Sequence, residues 1–369
     1  MKSTVYFAPA KLGKKGKSLV QGVGELFERV EGGDVVAKRD LVAIKVSFSE
    51  VGNTAYVRPQ LLRPIADRVR DRGGKPFFTD SNTLYVGGRA NAVDHIETAL
   101  RNGFDFAAAG APIIVADGLT GKAYEIVRID REQCRTAKIG AAAYHAHAIL
   151  SAAHVHGHGG TGLAATFKNL GMGLGSRAGK QMMHSLKEAP KVNEKACVGC
   201  GLCARYCLSE AITLLEGKAR VDVERCTRCG ECTVTCPERA IAIRWGESDA
   251  AFQKRIVEYA AAVLANKKGK ALFFAYLLNV SPGCLCERRS DAGIVPDVGV
   301  LASRDPVAIE QATFDLVNAQ PGIPSSKVGD CPPGEDKFRK LFPEMDSTVV
   351  MRYAEEIGLG TRAYDLVEI

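Results

Sequence analysis

The chain has 369 residues, 46% of them hydrophobic and 25% charged, and a formal net charge of +7. This composition is that of a globular protein, which excludes disordered, collagen-like and mucin-like chains. The longest apolar run, at residues 271–280, is too short to cross a bilayer, and the first residues lack the apolar core of a signal peptide. We therefore predict a cytoplasmic protein without membrane insertion.

Strand-like and helix-like stretches alternate along most of the chain. Runs of apolar or β-branched residues predict strands at 4–8, 41–48, 76–79, 112–116 and 270–280. Amphipathic patterns predict helices at 60–70, 89–102, 250–266 and 306–317. This alternation favours an α/β fold with a largely parallel or mixed sheet.

Two predicted strands lead into aspartates, Asp80 and Asp117. Ligands of open α/β sheets bind beyond the carboxyl ends of the strands, so either aspartate is a candidate ligand-binding residue. The alternative is that each one caps a turn.

Part of the basic excess lies in a lysine cluster without interleaved aromatic residues: Lys11, Lys14, Lys15 and Lys17. We interpret this cluster as a solvated loop and predict no nucleic-acid partner.

Residues 191–245 differ from the rest of the chain because they contain eight of its twelve cysteines. The simplest organisation is one α/β host domain, formed by residues 1–190 and 246–369, interrupted by a small α+β insert at 191–245. In a reducing compartment so many cysteines favour metal binding or redox chemistry over structural disulfides.

The insert contains two runs of the form C-x2-C-x2-C-x3-C, and the second repeats the first 29 residues later, as from Cys197 to Cys226. In this pattern three thiolates hold one four-iron cluster while the fourth cysteine serves the other cluster. We predict two 4Fe–4S clusters. The first is expected on Cys197, Cys200, Cys203 and Cys236. The second is expected on Cys226, Cys229, Cys232 and Cys207. A zinc ribbon is the alternative, since paired C-x2-C units also bind zinc.

The insert resembles bacterial-type ferredoxins that carry two 4Fe–4S clusters. It departs from them at Leu208, where the resemblance implies a proline like Pro237. It also departs in charge, with nine Lys or Arg and seven Asp or Glu between residues 191 and 245, whereas free ferredoxins of this type are usually acidic. A mildly basic module suits an electron path built into its host better than a free carrier.

Histidines and glycines are concentrated after the middle of the first host segment. Six of the seven histidines fall between residues 145 and 184, and an extended chain would place His154, His156 and His158 on one face. Imidazoles there suit acid–base catalysis or metal binding, and His158 is the strongest candidate. The alternative is a polar strand end whose histidines are only hydrogen-bonded or solvated.

The stretch 157–162 matches G-x-G-x-x-G, but no acidic residue lies between 176 and 187 to bind a ribose, so dinucleotide binding is not favoured. The glycines and the cations Lys168, Arg177 and Lys180 instead favour a small anionic substrate. The alternative is that the glycines serve only close packing against the sheet.

Four cysteines lie outside the insert. Cys284 and Cys286 follow a Pro-Gly turn, where a single intervening residue suits a metal site or a redox-active pair. We hypothesise an additional metal site, its metal unknown, on His156, His158, Cys284 and Cys286. Packing is the alternative for these thiols and the main interpretation for Cys134 and Cys331.

The host is identified as a member of the domain of unknown function 362 family, in which a ferredoxin insert is common. The matching stretches are VAIK at 42–45, RP at 58–59, TDSNT at 79–83, ADG at 116–118, GH at 157–158, KNLGMG at 168–173, PDVG at 296–299, SRDPVA at 303–308 and GLG at 358–360. The resemblance implies an iron–sulfur protein without a settled activity. The family usually has lysine at His156 and aspartate at Leu285. A fainter similarity runs to nickel-dependent lactate racemases.

The leading hypothesis is an oxidoreductase that passes electrons through two clusters to or from a host site. In that site His158 acts as acid, base or ligand, Lys168 binds an anion, and Cys284 and Cys286 act as redox or metal groups. The alternatives are a non-catalytic electron carrier or cluster-bearing subunit, and a metal-dependent isomerase-like host with structural or regulatory clusters. A redox partner protein and a small-molecule substrate are expected.

Overall fold

The computed structural model describes residues 2–11, 16–186, 188–243 and 249–369, and no side chain is described for residue 249. Two lysines of the predicted basic loop, Lys14 and Lys15, lie outside the described residues, as do the last two residues of the predicted insert. Among the described residues, no helix is both long and apolar enough to cross a membrane.

The strands are distributed over one large sheet and three small ones. In chain order they are β1 (Ser3–Pro9), β2 (Leu41–Lys45), β3 (Lys75–Thr79), β4 (Tyr124–Arg128), β5 (Thr136–Gly140), β6 (Ala148–His158), β7 (Gly162–Ala164), β8 (Lys191–Val192), β9 (Ile212–Leu215), β10 (Lys218–Val221), β11 (Ile241–Ala242), β12 (Ala271–Ser281), β13 (Gly299–Ser303) and β14 (Tyr364–Glu368).

The helices connect these strands and cover the large sheet. They are α1 (Leu19–Arg29), α2 (Gly32–Val35), α3 (Pro59–Asp71), α4 (Ala92–Arg101), α5 (Phe106–Ala109), α6 (Ala141–His145), α7 (Thr166–Leu174), α8 (Arg177–His184), α9 (Leu202–Arg205), α10 (Glu231–Thr235), α11 (Asp249–Leu264), α12 (Pro306–Asn318), α13 (Lys337–Leu341) and α14 (Thr348–Glu356).

The large sheet is mixed, with the strand order β14-β1-β13-β12-β6-β2-β3 and β7 paired to β6. Its centre is parallel, because β3, β2, β6 and β12 all run in one direction. Strand β13 is antiparallel to both of its neighbours, β12 and β1, and β14 is parallel to β1. The predicted α/β class with a largely parallel or mixed sheet is confirmed.

Helices cover both faces of this sheet, which explains why its central strands are continuously apolar rather than alternating. Successive residues of β6 alternate between the two cores: Ile149 packs on the face covered by α7, α11 and α12, and Leu150 on the face covered by α1 and α3. The carboxyl ends of the four parallel strands therefore meet at one edge, where polar side chains replace the apolar ones.

Most predicted elements of the host are present with shifted ends. The strand predicted at 41–48 ends at Lys45, and the helix predicted at 89–102 begins at Ala92 because the side chain of Asn91 caps it by accepting the Asp94 N–H. The strand predicted at 112–116 is wrong. Only Ile113 bridges to β3, opposite Phe78, and the preceding Pro112 has no N–H with which to extend a ladder.

The described part of the predicted insert, residues 191–243, has its own secondary structure and its own small core. Antiparallel pairs join β9 to β10 and β8 to β11. The buried residues of this core combine cysteine and aliphatic side chains: Cys203, Ile212, Ala219, Cys236, Ala240 and Ile241. Cysteines thus occupy positions that aliphatic side chains fill in a larger domain.

Helix α7 lies unusually close to α11, and a glycine makes this approach possible. A Cβ atom on Gly171 would overlap the Ile256 carbonyl oxygen of α11. Because this obstacle is backbone, it cannot rotate away, and overpacking of such contacts typically costs ~1–3 kcal/mol. The ~1 kcal/mol gain in helix propensity from glycine to alanine is smaller or comparable.

We expect Gly171→Ala to lower the free energy of unfolding by about 1–2 kcal/mol, measured by urea denaturation. The control is Gly159→Ala, because an added Cβ there meets only one ring atom of Phe342, at 3.9 Å. That variant should change stability by less than ~0.5 kcal/mol. A Gly171 variant as stable as the wild type would show that the two helices separate without cost.

Candidate active site

A cavity opens at the edge of the sheet where the parallel strands end. It is lined by side chains from five sources, namely the end of β2, the segment after β3, strand β6 with helix α7, helix α8, and the loop after β12. Its polar and sulfur-bearing lining residues include Lys45, Asp80, Arg89, His154, His156, His158, Lys168, Asn169, Lys180, His184, Cys284 and Cys286. The predicted residues His158, Lys168, Cys284 and Cys286 therefore line one cavity, together with His156.

The centre of the cavity is a contact between Lys168 and Cys284. The Lys168 Nζ donates to the Cys284 Sγ at 3.2 Å and lies 3.3 Å from the Nε2 of His156. The Cys286 backbone N–H donates to the same Cys284 sulfur at 3.3 Å. The Cys284 sulfur thus accepts hydrogen bonds from two donors, one on helix α7 and one in its own loop.

These donors stabilise the anionic form of Cys284. The hydrogen bond from the Cys286 thiol, and then the Lys168 ammonium, hold the pKa of the Cys284 thiol well below its ordinary value in spite of burial. The same hydrogen bond, together with burial, holds the pKa of the Cys286 thiol well above its ordinary value. These contacts therefore favour a thiolate at Cys284 and a thiol at Cys286 over the reverse arrangement.

Three histidines of β6 face the cavity, as the extended spacing predicts. The rings of His154 and His156 stack at 5.9 Å, and the rings of His156 and His158 meet edge to face at 6.5 Å. Burial lowers the pKa of His154 to about 4 and lowers those of His156 and His158 well below the ordinary value. All three imidazoles are neutral at pH 7.

The hydrogen bonds of the neutral rings assign their tautomers. The Nδ1 of His156 lies 2.8 Å from the Gly157 carbonyl oxygen, which only accepts, so Nδ1 carries the proton and Nε2 accepts from Lys168. The Nδ1 of His158 accepts the Gly160 N–H at 3.2 Å, so its proton is on Nε2. His158 can therefore donate a hydrogen bond through Nε2, whereas His156 orients Lys168.

A buried network of charges forms the floor of the cavity. Asp80 lies 3.2 Å from the Lys45 Nζ and 3.2 Å from an Arg89 nitrogen, and Arg89 also pairs with Glu50 at 3.2 Å. The Lys45 Nζ donates to the Asn169 side chain at 2.8 Å. Asp80 is the one member of this network that the sequence indicates as a candidate; Lys45, Arg89, Glu50 and Asn169 were not predicted. The lysine that ends an otherwise apolar strand was the one signal available for Lys45.

The second strand-end aspartate has a different position. Asp117 is fully buried and accepts hydrogen bonds from Asn82 at 2.9 Å and from the Arg177 backbone N–H at 3.1 Å. Burial raises the pKa of the Asp117 carboxyl. This residue fixes the segment after β3 against the start of α8 rather than facing the cavity, which agrees with the alternative of a structural role.

The three predicted cations divide between two roles. Lys168 and Lys180 line the cavity, and burial lowers the pKa of Lys180 to about 8. The Arg177 guanidinium instead donates to the Thr120 carbonyl at 2.8 Å and to Glu231 at 3.0 Å. Arg177 thus joins the host to the insert, and only the two lysines are available to a molecule in the cavity.

The additional metal site remains a prediction. Within the part of the chain that the structure describes, no three side chains of the His, Cys, Asp and Glu types converge on a position for a single ion. The ammonium of Lys168 lies between His156 and Cys284, where it separates the two residues.

The cysteines of the insert lie close to one another. Cys197, Cys200, Cys203 and Cys236, the predicted ligands of the first cluster, line one small cavity. Burial raises the pKa of the Cys232 thiol, and its neighbours Cys229, Cys226, Cys203 and Cys207 raise it further. Because Cys203 belongs to the first predicted set, the division of the eight cysteines into two groups of ligands stays a prediction.

These groups offer a donor set of thiols alone, which suits iron–sulfur clusters or zinc. A four-iron cluster holds each thiolate on a separate iron, so its ligands stand further apart than those of a single ion. The Cys207 sulfur accepts the Ala211 N–H and the Cys236 sulfur accepts the Ala240 N–H, both at 3.3 Å. These two bonds are equivalent under the 29-residue repeat, and such N–H···S bonds stabilise thiolate ligands.

The two remaining cysteines lie away from the cavity. The Cys331 thiol is buried and lies 3.3 Å from a Glu335 carboxylate oxygen. Cys134 is buried in the host core. The positions of both agree with the packing interpretation.

The insert contacts the host beside the cavity, through the loop that carries the second cysteine run. Glu231 pairs with Arg177 and with Lys122, each at 3.0 Å. A cleft between the two parts is lined by Thr233 of the insert and by Tyr85 and Cys286 of the host. Since Cys286 also lines the cavity, this residue lies between the cavity and the insert.

We expect Asp80→Asn to destabilise the protein by about 3–5 kcal/mol at pH 7, because Lys45 would keep a buried charge without a counter-ion and Arg89 would be left with Glu50 alone. Although burial opposes ionisation, Lys45, His95 and Arg89 lower the pKa of the Asp80 carboxyl. A depressed pKa contributes stability above the ordinary pKa of aspartate and loses it as the pH falls through the folded-state value. The difference between wild type and variant should therefore shrink in acid.

Urea denaturation at a series of pH values measures this difference. The matched control is Asp67→Asn, which removes an exposed aspartate paired with Arg63 and Arg70 and should cost less than ~1 kcal/mol. Equal losses of stability in the two variants would show that the buried ion pairs of Asp80 stabilise the protein no more than the exposed ion pairs of Asp67.

Comparison with known proteins places the host in a family. In overall structure the chain is similar to the lactate racemase apoprotein from Thermoanaerobacterium thermosaccharolyticum, with 11% identity, a TM-score of 0.35 and coverage of 75% of this chain and 51% of that one. The chain thus spans about half the length of the racemase apoprotein. It is also similar to a Thermotoga maritima protein, with 10% identity, a TM-score of 0.37 and coverage of 97% and 89%. No curated protein matches the sequence. Residues 42–315 match the family described as "Domain of unknown function (DUF362)", and the chain belongs to this family.

Proposed function

We propose that the protein is an iron–sulfur oxidoreductase in which electrons pass through the insert to or from the cavity of the host. The observation that carries this proposal is the position of Cys286, which lines both the cavity and the cleft against the loop of the second cysteine run. An electron path from the insert to a substrate requires such a contact. A cluster-bearing subunit without its own chemistry does not.

The insert supplies the electron path in this proposal. Cys197, Cys200, Cys203 and Cys236 would hold the first cluster, and Cys226, Cys229, Cys232 and Cys207 the second. When bound, each 4Fe–4S cluster supplies one-electron transfer at a potential that its burial and hydrogen bonds determine. The N–H donors of Ala211 and Ala240 are two such hydrogen bonds provided by this chain.

The cavity supplies the acid–base and nucleophilic groups. Its thiolate at Cys284 is a nucleophile or reductant, and His158 presents a proton on Nε2. Lys168 and Lys180 favour an anionic group on the substrate. The cavity has a volume of about 180 Å³, below the usual range of sites for drug-sized molecules, so it admits only a small substrate. We infer a small anionic substrate whose oxidation state changes in this cavity.

Metal content tests the first part of the proposal. We expect about eight irons and no stoichiometric zinc in anaerobically purified protein, with an electron paramagnetic resonance signal after reduction by dithionite. Cys236→Ser should affect the same signal as Cys197→Ser, although these two residues lie in different runs. Cys207→Ser should likewise affect the same signal as Cys226→Ser.

The control is Cys331→Ser, outside both groups, which should leave iron content and signals unchanged. Stoichiometric zinc without iron would establish the zinc-ribbon alternative. Clusters that no reductant or oxidant changes would rule out electron transfer. The carrier hypothesis would be favoured by a different result. In that case the clusters are redox-active, and substitutions of the residues that line the cavity leave electron transfer unchanged.

The internal repeat provides a matched pair of variants for the contact between insert and host. Gly201 and Gly230 are equivalent positions, both left-handed, with φ of 77° and 74°. An added Cβ on Gly230 would overlap a Leu84 methyl group of the host, whereas on Gly201 the nearest atom is a Leu214 methyl group 3.6 Å away. The two alanine variants therefore carry the same backbone strain but differ in contact with the host.

We expect Gly230→Ala to increase hydrogen–deuterium exchange at residues 84–90 of the host, because the insert loop is pushed away from them. Gly201→Ala should leave that segment as in the wild type. Iron content, measured in both variants, shows whether each insert still binds its clusters. Equal exchange at 84–90 in both variants would show that the loop does not rest on the host in solution.

A further inference from the structure

We propose that Cys284 and Cys286 form a reversible disulfide and that this dithiol is the two-electron centre of the cavity. This inference deepens the proposed function and rests on it only for the identity of the internal electron acceptor. Three features of the loop after β12 support it: the turn, its anchoring and its charge environment.

The turn brings the two sulfurs together. The Glu287 N–H donates to the Cys284 carbonyl at 3.1 Å, which closes a β-turn over Cys284 to Glu287. Within this turn the Cys286 N–H donates to the Cys284 sulfur at 3.3 Å, so the Cys284 side chain folds back over the backbone of Cys286. A disulfide needs two cysteines held at short range, and this turn holds them so.

The residue between the two cysteines fixes the turn to the host. Leu285 is buried, and its carbonyl oxygen accepts the Glu50 N–H at 3.2 Å and the Ser49 hydroxyl at 3.2 Å. A third donor, an Arg89 nitrogen, lies at 3.4 Å. The turn is thereby tied to the buried charge network, so the thiols are presented by a fixed loop and not by a free surface segment.

The surroundings make one sulfur a nucleophile and leave the other protonated. The Lys168 ammonium, 3.2 Å from the Cys284 sulfur, compensates the charge of a thiolate at that position. Thiolates, not thiols, attack disulfides and give up electrons, and a neighbouring lysine promotes their formation. Lys168 is therefore a positioning residue for the thiolate, and His156 in turn orients Lys168 through Nε2.

The oxidation step balances for the dithiol alone. The Cys284 thiolate and the Cys286 thiol form one S–S bond, release the Cys286 proton to water, and lose two electrons. Inside the protein, clusters held by the eight cysteines of the insert would supply the one-electron acceptors. With an external disulfide, the Cys284 thiolate first forms a mixed disulfide and displaces one thiolate. Cys286, having lost its proton, then attacks the Cys284 sulfur and displaces the second thiolate. The product leaves Lys168 without its counter-ion.

The test uses the full chain and one tryptic peptide. Residues 271–288 lie between cleavage sites at Lys270 and Arg288 and contain Cys284 and Cys286 but no other cysteine. The protein is equilibrated anaerobically with mixtures of oxidised and reduced dithiothreitol, alkylated and digested. We expect the peptide to change from doubly alkylated to a form two hydrogens lighter than the dithiol, along a single two-electron curve.

Variants separate the roles of the three residues. Cys286→Ser should trap a mixed disulfide on Cys284 when the protein is treated with a small disulfide. Lys168→Met should raise the pKa of the Cys284 thiol by ~1–3 units and slow its alkylation at neutral pH by at least about tenfold. Lys168→Arg should keep most of the alkylation rate. Cys331→Ser should leave the redox curve unchanged.

A peptide that stays a dithiol under the most oxidising mixture would overturn the inference, as would equal alkylation rates of Cys284 in the wild type and in Lys168→Met. Iron content and cluster signals are measured on the same samples. Redox-active clusters beside an inert dithiol would refute this inference while leaving the proposed function intact. A reversible disulfide in a chain that binds no iron would refute the proposed function and retain the dithiol.

Discussion

The ion pair between Asp80 and Lys45, extended by Arg89, is the interaction on which the arrangement of the cavity depends. Lys45 ends β2 with a relative exposure of 1%, and Asp80 directly follows β3, so the pair joins adjacent parallel strands at their carboxyl ends. Two buried cations against one carboxylate would be costly without further acceptors, and Asn169 and Glu50 supply them. Through Arg89 the same network reaches the Leu285 carbonyl, and so it holds the turn that carries both thiols.

Helix α7 can take part in this network because it is rich in glycine. An added Cβ on Gly173 would overlap the end of the Lys45 side chain, and one on Gly171 would overlap the backbone of α11. The helix is therefore pressed between the charge network and a neighbouring helix, and this position directs Asn169 towards Lys45 and Lys168 towards Cys284. The same helix therefore combines two properties. Its glycines allow close packing, and it presents a cation, Lys168, to the cavity.

The sequence was informative where local pattern decides the structure, and less so where distant segments meet. Apolar runs located the central strands because these strands are buried on both faces, and extended spacing placed His154, His156 and His158 on one face. The contact between Lys45 and Asn169 joins residues 124 positions apart, and the contact between Arg89 and Leu285 joins residues 196 apart. Neither follows from periodicity, because both require the strand order, in which β2 lies next to β6, and β2 and β6 separate β3 from β12.

The two halves of the insert are alike in sequence but not in surroundings, and this difference would give the proposed electron path a direction. The second run lies against the host through Gly230 and Glu231, next to Cys286. The first run faces outwards: Cys200 is exposed, and Leu208, at the position equivalent to Pro237, is 81% exposed. If both halves bind clusters, the inner one lies beside the dithiol and the outer one is accessible to a partner. A duplicated unit thus acquires an inner and an outer end only because one copy contacts the host.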